Sequence, residues 1–169
     1  MILNIIKKNI DVILRWFVII IMAAMTINVL WQVFSRFILQ NPSSFTEELA
    51  RYMLVWLGIL GASYVSGQKM HLAIDLLATK LTGKAKSLLE IIIESCIFLF
   101  SLFVMVIGGL RLVTITLALN QISAALQIKL GYVYLVLPIS GLLMMFYSFF
   151  YIVEEIKNLK RFSSDTVQP

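Results

Sequence analysis

Two uncharged stretches constrain this chain more than anything else in it: Trp16 to Ser35, 20 residues, and Leu130 to Val153, 24 residues. A helix rises 1.5 Å per residue and needs about 20 apolar residues to cross the hydrocarbon of a bilayer, so each stretch is long enough to span one. A soluble domain of 169 residues has no interior large enough for them when 60% of its residues are hydrophobic and only 14% are charged. The chain therefore reads as an integral membrane protein, and a soluble enzyme core is excluded. The formal charge of +5 does not point to nucleic acid, because the 14 basic residues are scattered between apolar spans instead of lying on one face. Cys96 is the lone cysteine and lies in an apolar run, which leaves no intramolecular disulfide and no multi-thiolate metal site.

Matching the remaining apolar runs to the same length gives an all-α architecture of four transmembrane helices, with approximate spans 13–35, 50–68, 90–111 and 130–153. The whole chain, 1–169, forms a single membrane domain on this reading. Lys7 and Lys8 precede the first span as in a signal peptide, but the apolar stretch exceeds an h-region of about 7–15 residues and no small-x-small cleavage site follows, so the span is expected to stay. Between the second and third spans, Leu72, Leu76, Leu77 and Leu81 recur at helical spacing among charged residues. They predict a short amphipathic helix over about 71–82, lying flat on the membrane with Lys80, Lys84 and Lys86 among the headgroups. Residues 112–129 are uncharged yet too polar for a fifth span; the third helix is expected to run on to about Leu119 and to turn back through Ile122 to Ile128. Pro138 and Gly141 are expected to kink the fourth helix. Residues 163–169 read as a short disordered tail.

Ten basic residues, Lys7, Lys8, Arg15, Lys69, Lys80, Lys84, Lys86, Lys157, Lys160 and Arg161, fall on one side of this topology, against Arg36, Arg51, Arg111 and Lys129 on the other. The basic side is cytoplasmic, which places both termini inside.

The densest polar feature is Asn41-Pro-Ser-Ser-Phe-Thr-Glu-Glu-Leu-Ala-Arg51, directly before the second span. Ser44 and Glu47 have the spacing of a capping box, Glu48 suits the helix dipole, and Arg51 is within reach of both carboxylates. Arg36, at the same end of the first span, either snorkels or pairs with one of the glutamates. Adjacent helical residues point about 100° apart, so Glu47 and Glu48 do not converge on one ion or form an acid and base pair. Their cost in lipid falls when a protein partner covers them. Glu90 and Glu94 belong by the same reasoning at headgroup level or against a partner. Trp56 follows on the second span, where Gly58, Ala62 and Ser66 form a seam of small residues beside Gly61, suited to close helix contact inside the chain or with another. His71 and Asp75, four apart, suit a mutual hydrogen bond or a headgroup contact, and with no third ligand nearby they are no metal site. Catalytic, cofactor and metal residues are expected to be absent.

Phe34-Ser-Arg-Phe37, Phe45-Thr-Glu-Glu-Leu-Ala-Arg51, Trp56, Gly58, Gly61 and His71-x-x-x-Asp75, set in four spans, resemble the small membrane subunit of TRAP (tripartite ATP-independent periplasmic) transporters. The second half is matched in hydropathy and in the Leu137-Pro138 step. The resemblance implies a bacterial inner-membrane protein that binds a larger multi-span transport subunit, works with a periplasmic substrate-binding protein and is surrounded by membrane lipids. It implies uptake of organic acids such as dicarboxylates, keto acids or sialic acid, driven by sodium that binds the large subunit and not this chain. The short spans show neither discontinuous helices nor inverted repeats, which favours a scaffold over a carrier. The competing reading is a small homo-oligomeric four-helix exporter, for which Glu94 would be the membrane-embedded carboxylate.

Overall fold

The computed structural model describes residues 2–41, 43–68 and 84–165. Four helices in it are long and apolar enough to cross a membrane. They are α1 (Ile2–Phe37), α2 (Ser44–Gly67), α3 and α4. The rod α3 comprises Lys84–Phe100, a π-helical Ser101–Gly108 and Gly109–Ala118, and the junction dihedrals stay right-handed (Phe100 φ −59°, ψ −48°; Gly108 φ −63°, ψ −42°). Helix α4 comprises Leu130–Tyr134 and Val136–Asp165. Its break at Leu135 follows from Pro138, which has no N–H for the carbonyl four residues earlier. The expected all-α, four-span architecture holds. The expected surface helix at about 71–82, with His71 and Asp75, lies outside the described residues, as do residues 166–169.

Each helix outruns the limits set by hydropathy at one end or both, because charged residues that end an apolar run do not end a helix whose other face is packed. On α1, Ile10, Leu14, Val18 and Ile21 recur at steps of three and four and pack on a core of Leu60, Val136, Tyr147 and Tyr151. The charges on the same face are absorbed locally. Lys7 pairs with Asp11 at 3.7 Å, Tyr147 donates its hydroxyl to Asp11 at 2.6 Å, and the Lys7 ammonium lies 5.1 Å from the centre of the Tyr151 ring. At the far end, α4 continues to Asp165, into the stretch expected as a tail.

Among the described residues the helices make their broad lateral contacts in the order α1, α2, α4, α3. That is a row, and it leaves large apolar side chains such as Ile13, Ile20, Ile27, Leu30 and Phe103 more than half exposed, which only lipid or another protein can cover. Small residues let the row close. The hydroxyls of Ser63 on α2 and Ser140 on α4 bond to one another, and Ser140 also donates to the Ile59 carbonyl at 3.0 Å. Tyr151 donates to the Gly67 carbonyl, while a Cβ placed on Gly67 would lie 2.6 Å from the Tyr147 ring. Between α3 and α4, a Cβ on Gly141 would meet Met105 Cβ at 2.8 Å and the Ser101 carbonyl at 3.2 Å; one on Gly109 would meet Leu137 Cβ at 3.0 Å. In a bilayer, helix association depends on this close packing and on interhelical hydrogen bonds, since lipid tails are as apolar as leucine.

Candidate functional site

The N-terminal turn of α2 carries the two glutamates, and their 100° separation sends them to different partners. Glu47 faces outward and binds Arg51 at 3.3 Å, with both side chains more than three-fifths exposed. Glu48 turns inward to the α3–α4 connection. Its carboxylate accepts the Tyr52 hydroxyl at 2.7 Å, the Ala125 N–H at 2.7 Å and the Leu126 N–H at 3.0 Å. The expectation that Arg51 reaches both carboxylates is thus corrected, because the backbone amides of the connection have claimed Glu48.

The connection is built to present those amides. Ser123 N–H donates to the Ile128 carbonyl at 2.9 Å and Leu130 N–H to the Gln121 carbonyl at 3.0 Å, forming a tight hairpin closed by an Ile122–Lys129 bridge. Asn120 and Gln127 take the left-handed conformation at φ 47° and 55°, which turns the chain at either end. Ser123 Oγ accepts the Leu126 N–H at 3.2 Å as well, so the turn is held from both sides.

The capping box is also corrected. The N-cap is Ser43, with no side-chain cap bond, and Ser44 is the first helical residue. The Ser43 carbonyl instead accepts the Thr46 hydroxyl at 2.9 Å, and Asn28 of α1 donates its amide to the Thr46 carbonyl at 2.8 Å, fixing α1 to the start of α2. Arg36 forms no ion pair with Glu47 or Glu48; its guanidinium lies 6.0 Å from the Phe37 ring centre. With Gln32, Ser43, Ser44 and Glu47 it lines a polar cleft of about 330 Å³. One turn after Tyr52, the Trp56 indole donates to the Val133 carbonyl at 2.9 Å beside the α4 break, and its ring leans on Phe17.

The proposed small-residue seam divides. Ser66 is buried, but Gly58 and Ala62 are exposed and a Cβ on Gly58 would meet nothing within 4 Å. The internal contact of α2 runs instead through Leu60, Ser63 and Gly67, the next strip round the helix. Among the described residues no three of His, Cys, Asp or Glu stand close enough to hold a metal ion.

A polar strip between α3 and α4 was not read from the sequence. Ser87, Glu94 and Ser101 on one helix, and Gly141, Ser148 and Glu155 on the other, are all buried. Both sets repeat every seven residues, two helical turns, and that spacing was the available signal. Glu94 is therefore covered by its own chain, not by lipid headgroups or a partner, whereas Glu90 pairs with Lys86 at 3.9 Å.

Residues 25–158 match the family described as tripartite ATP-independent periplasmic transporters, DctQ component. The chain is 27% identical over 106 residues to the sialic acid TRAP transporter small permease protein SiaQ of Vibrio cholerae, covering 63% of this chain and 61% of that one. It is 31% identical over 119 residues to the sialic acid TRAP transporter permease protein SiaT of Haemophilus influenzae, covering 68% of this chain and 18% of the other. It is 30% identical over 95 residues to the isethionate TRAP transporter permease protein DctMQ of Oleidesulfovibrio alaskensis, covering 56% of this chain and 15% of that protein. The chain thus spans less than two thirds of the length of each of these relatives.

Proposed function

The chain belongs to the DctQ-component family of TRAP transporters, and from that premise we propose that it is the small scaffold subunit that stabilises a larger multi-span permease during sodium-driven uptake of an organic acid. The observation that carries this reading is the row of helices, whose broad contacts among the described residues run α1, α2, α4, α3 and leave the face of α2 that bears Gly58 and Ala62 exposed among those residues. A row of this kind adds width to a partner and encloses no path of its own. The matches to part of SiaT and of DctMQ support a permease that holds this unit and a larger one together, in some relatives within one chain.

The names of these relatives favour an organic anion, sialic acid or a sulfonate such as isethionate, as the solute. On this proposal sodium and solute bind the large subunit, this chain holds no cofactor, and a periplasmic substrate-binding protein delivers the solute. The ten-to-four distribution of basic residues supports an inner-membrane location with both termini cytoplasmic. That topology puts the Glu48 hairpin on the periplasmic side.

Affinity purification of the tagged chain from native membranes tests the assembly. A larger hydrophobic permease should accompany it at a one-to-one ratio through size exclusion. Recovery of the chain alone, or only with copies of itself, would replace this reading by the homo-oligomeric exporter.

A further inference from the structure

A cleft of about 180 Å³ opens between the start of α1 and the C-terminal part of α4. Its apolar wall is Leu3, Phe150 and Val153, and its polar wall is Asn4, Glu154 and Lys157. Val153 is the last residue of the long uncharged run of α4, so the cleft straddles the boundary between hydrocarbon and headgroups. Among the described residues the charges in it are uncommitted. Ion pairs between described residues join Lys7 to Asp11, Arg51 to Glu47 and Lys86 to Glu90, and neither Glu154 nor Lys157 takes part in any of them. Although they stand three apart on one helix, these two do not pair with each other, whereas Lys7 and Asp11 close by satisfy one another.

We propose that this cleft holds the headgroup of a glycerophospholipid that carries a primary ammonium. One carboxylate, one ammonium and one carboxamide beside an apolar wall complement a zwitterion attached to hydrocarbon. Lys157 and the Asn4 amide donate to the phosphodiester, Glu154 accepts from the lipid ammonium, and the glycerol and acyl chains follow Leu3, Val153 and Phe150 toward the membrane interior. A quaternary ammonium has no N–H for Glu154, and a glycerol headgroup brings no cation to offset it, so both are weaker ligands. The site does not depend on the transport reading.

The full chain, purified in mild detergent and mixed with equal amounts of phosphatidylethanolamine, phosphatidylcholine and phosphatidylglycerol, gives the test by native mass spectrometry. The ethanolamine lipid should be retained about two- to fivefold over each of the others, the size expected of one exposed ion pair. Glu154→Gln should abolish its advantage over the choline lipid, and Lys157→Ala should lower its retention. Both side chains are exposed, so unchanged melting of the variants separates lipid loss from unfolding. Equal retention of the three lipids by the unaltered chain, or an ethanolamine preference that survives Glu154→Gln, would overturn the proposal.

Discussion

Gly141→Leu is expected to leave little folded chain after extraction into detergent. The first carbon of the new side chain would already stand 2.8 Å from Met105 Cβ, 2.9 Å from Val106 Cγ2 and 3.2 Å from a backbone carbonyl, none of which can swing aside as a long side chain could. Overpacking of a well-filled interior costs about 1–3 kcal/mol, and four extra carbons against backbone belong at or above the upper end. Gly58→Leu is the matched control, with nothing among the described residues within 4 Å of its Cβ. Thermal unfolding followed by circular dichroism should show a large loss for the first variant and a melt within a few degrees of the parent for the second. Equal melts would mean that α3 and α4 do not meet at Gly141.

Glu48→Ala should have the largest effect of any substitution in the Thr46–Arg51 turn. It removes the carboxylate that accepts the Ala125 and Leu126 N–H groups and the Tyr52 hydroxyl, although the Leu126 N–H keeps Ser123 Oγ at 3.2 Å. Hydrogen bonds to a charged group are stronger than neutral ones, and water that reaches this edge replaces part of what is lost, so the melt of Glu48→Ala should fall further than that of any loss confined to the exposed Arg51–Glu47 pair. Arg51→Ala removes only an exposed pair with Glu47 and should cost about 0.5 kcal/mol or less. Amide hydrogen exchange separates the two: Ala125 and Leu126 should exchange faster in Glu48→Ala and unchanged in Arg51→Ala. Equal protection in both variants would show that the hairpin holds itself without α2.

The same two regions mark where sequence reasoning succeeds and where it stops. Span number and class were legible because lipid enforces helices, and length counts them. The Thr-Glu-Glu-x-Ala-Arg segment also stood out, as two carboxylates before a membrane span demand an account. Which partner each carboxylate takes was not legible. Arg51 and the amides of Ala125 and Leu126 are equally good partners for Glu48 on paper, and only the fold brings residues 77 and 78 positions away to it. The N-cap lies one residue before the expected Ser44 and no capping box forms, because Ser43 and Ser44 are chemically alike and the backbone geometry that makes Ser43 the cap is not encoded by spacing alone. Gly58, Ala62 and Ser66 were chosen by regular spacing, yet the neighbouring strip of Leu60, Ser63 and Gly67 packs inside, since tilt and rotation of α2 are set by what α4 offers it. Hydropathy ended α1 near residue 13 at charges that Tyr147 and Tyr151 in fact accommodate.

Solute uptake by reconstituted liposomes tests the central claim most directly. Vesicles holding the large permease with this chain, supplied with binding protein, labelled organic anion and an inward sodium gradient, should accumulate solute. Vesicles lacking this chain should lose most of that uptake, and vesicles with this chain alone should show none. Sodium-independent flux through this chain alone, or full uptake by the large permease in its absence, would contradict the account.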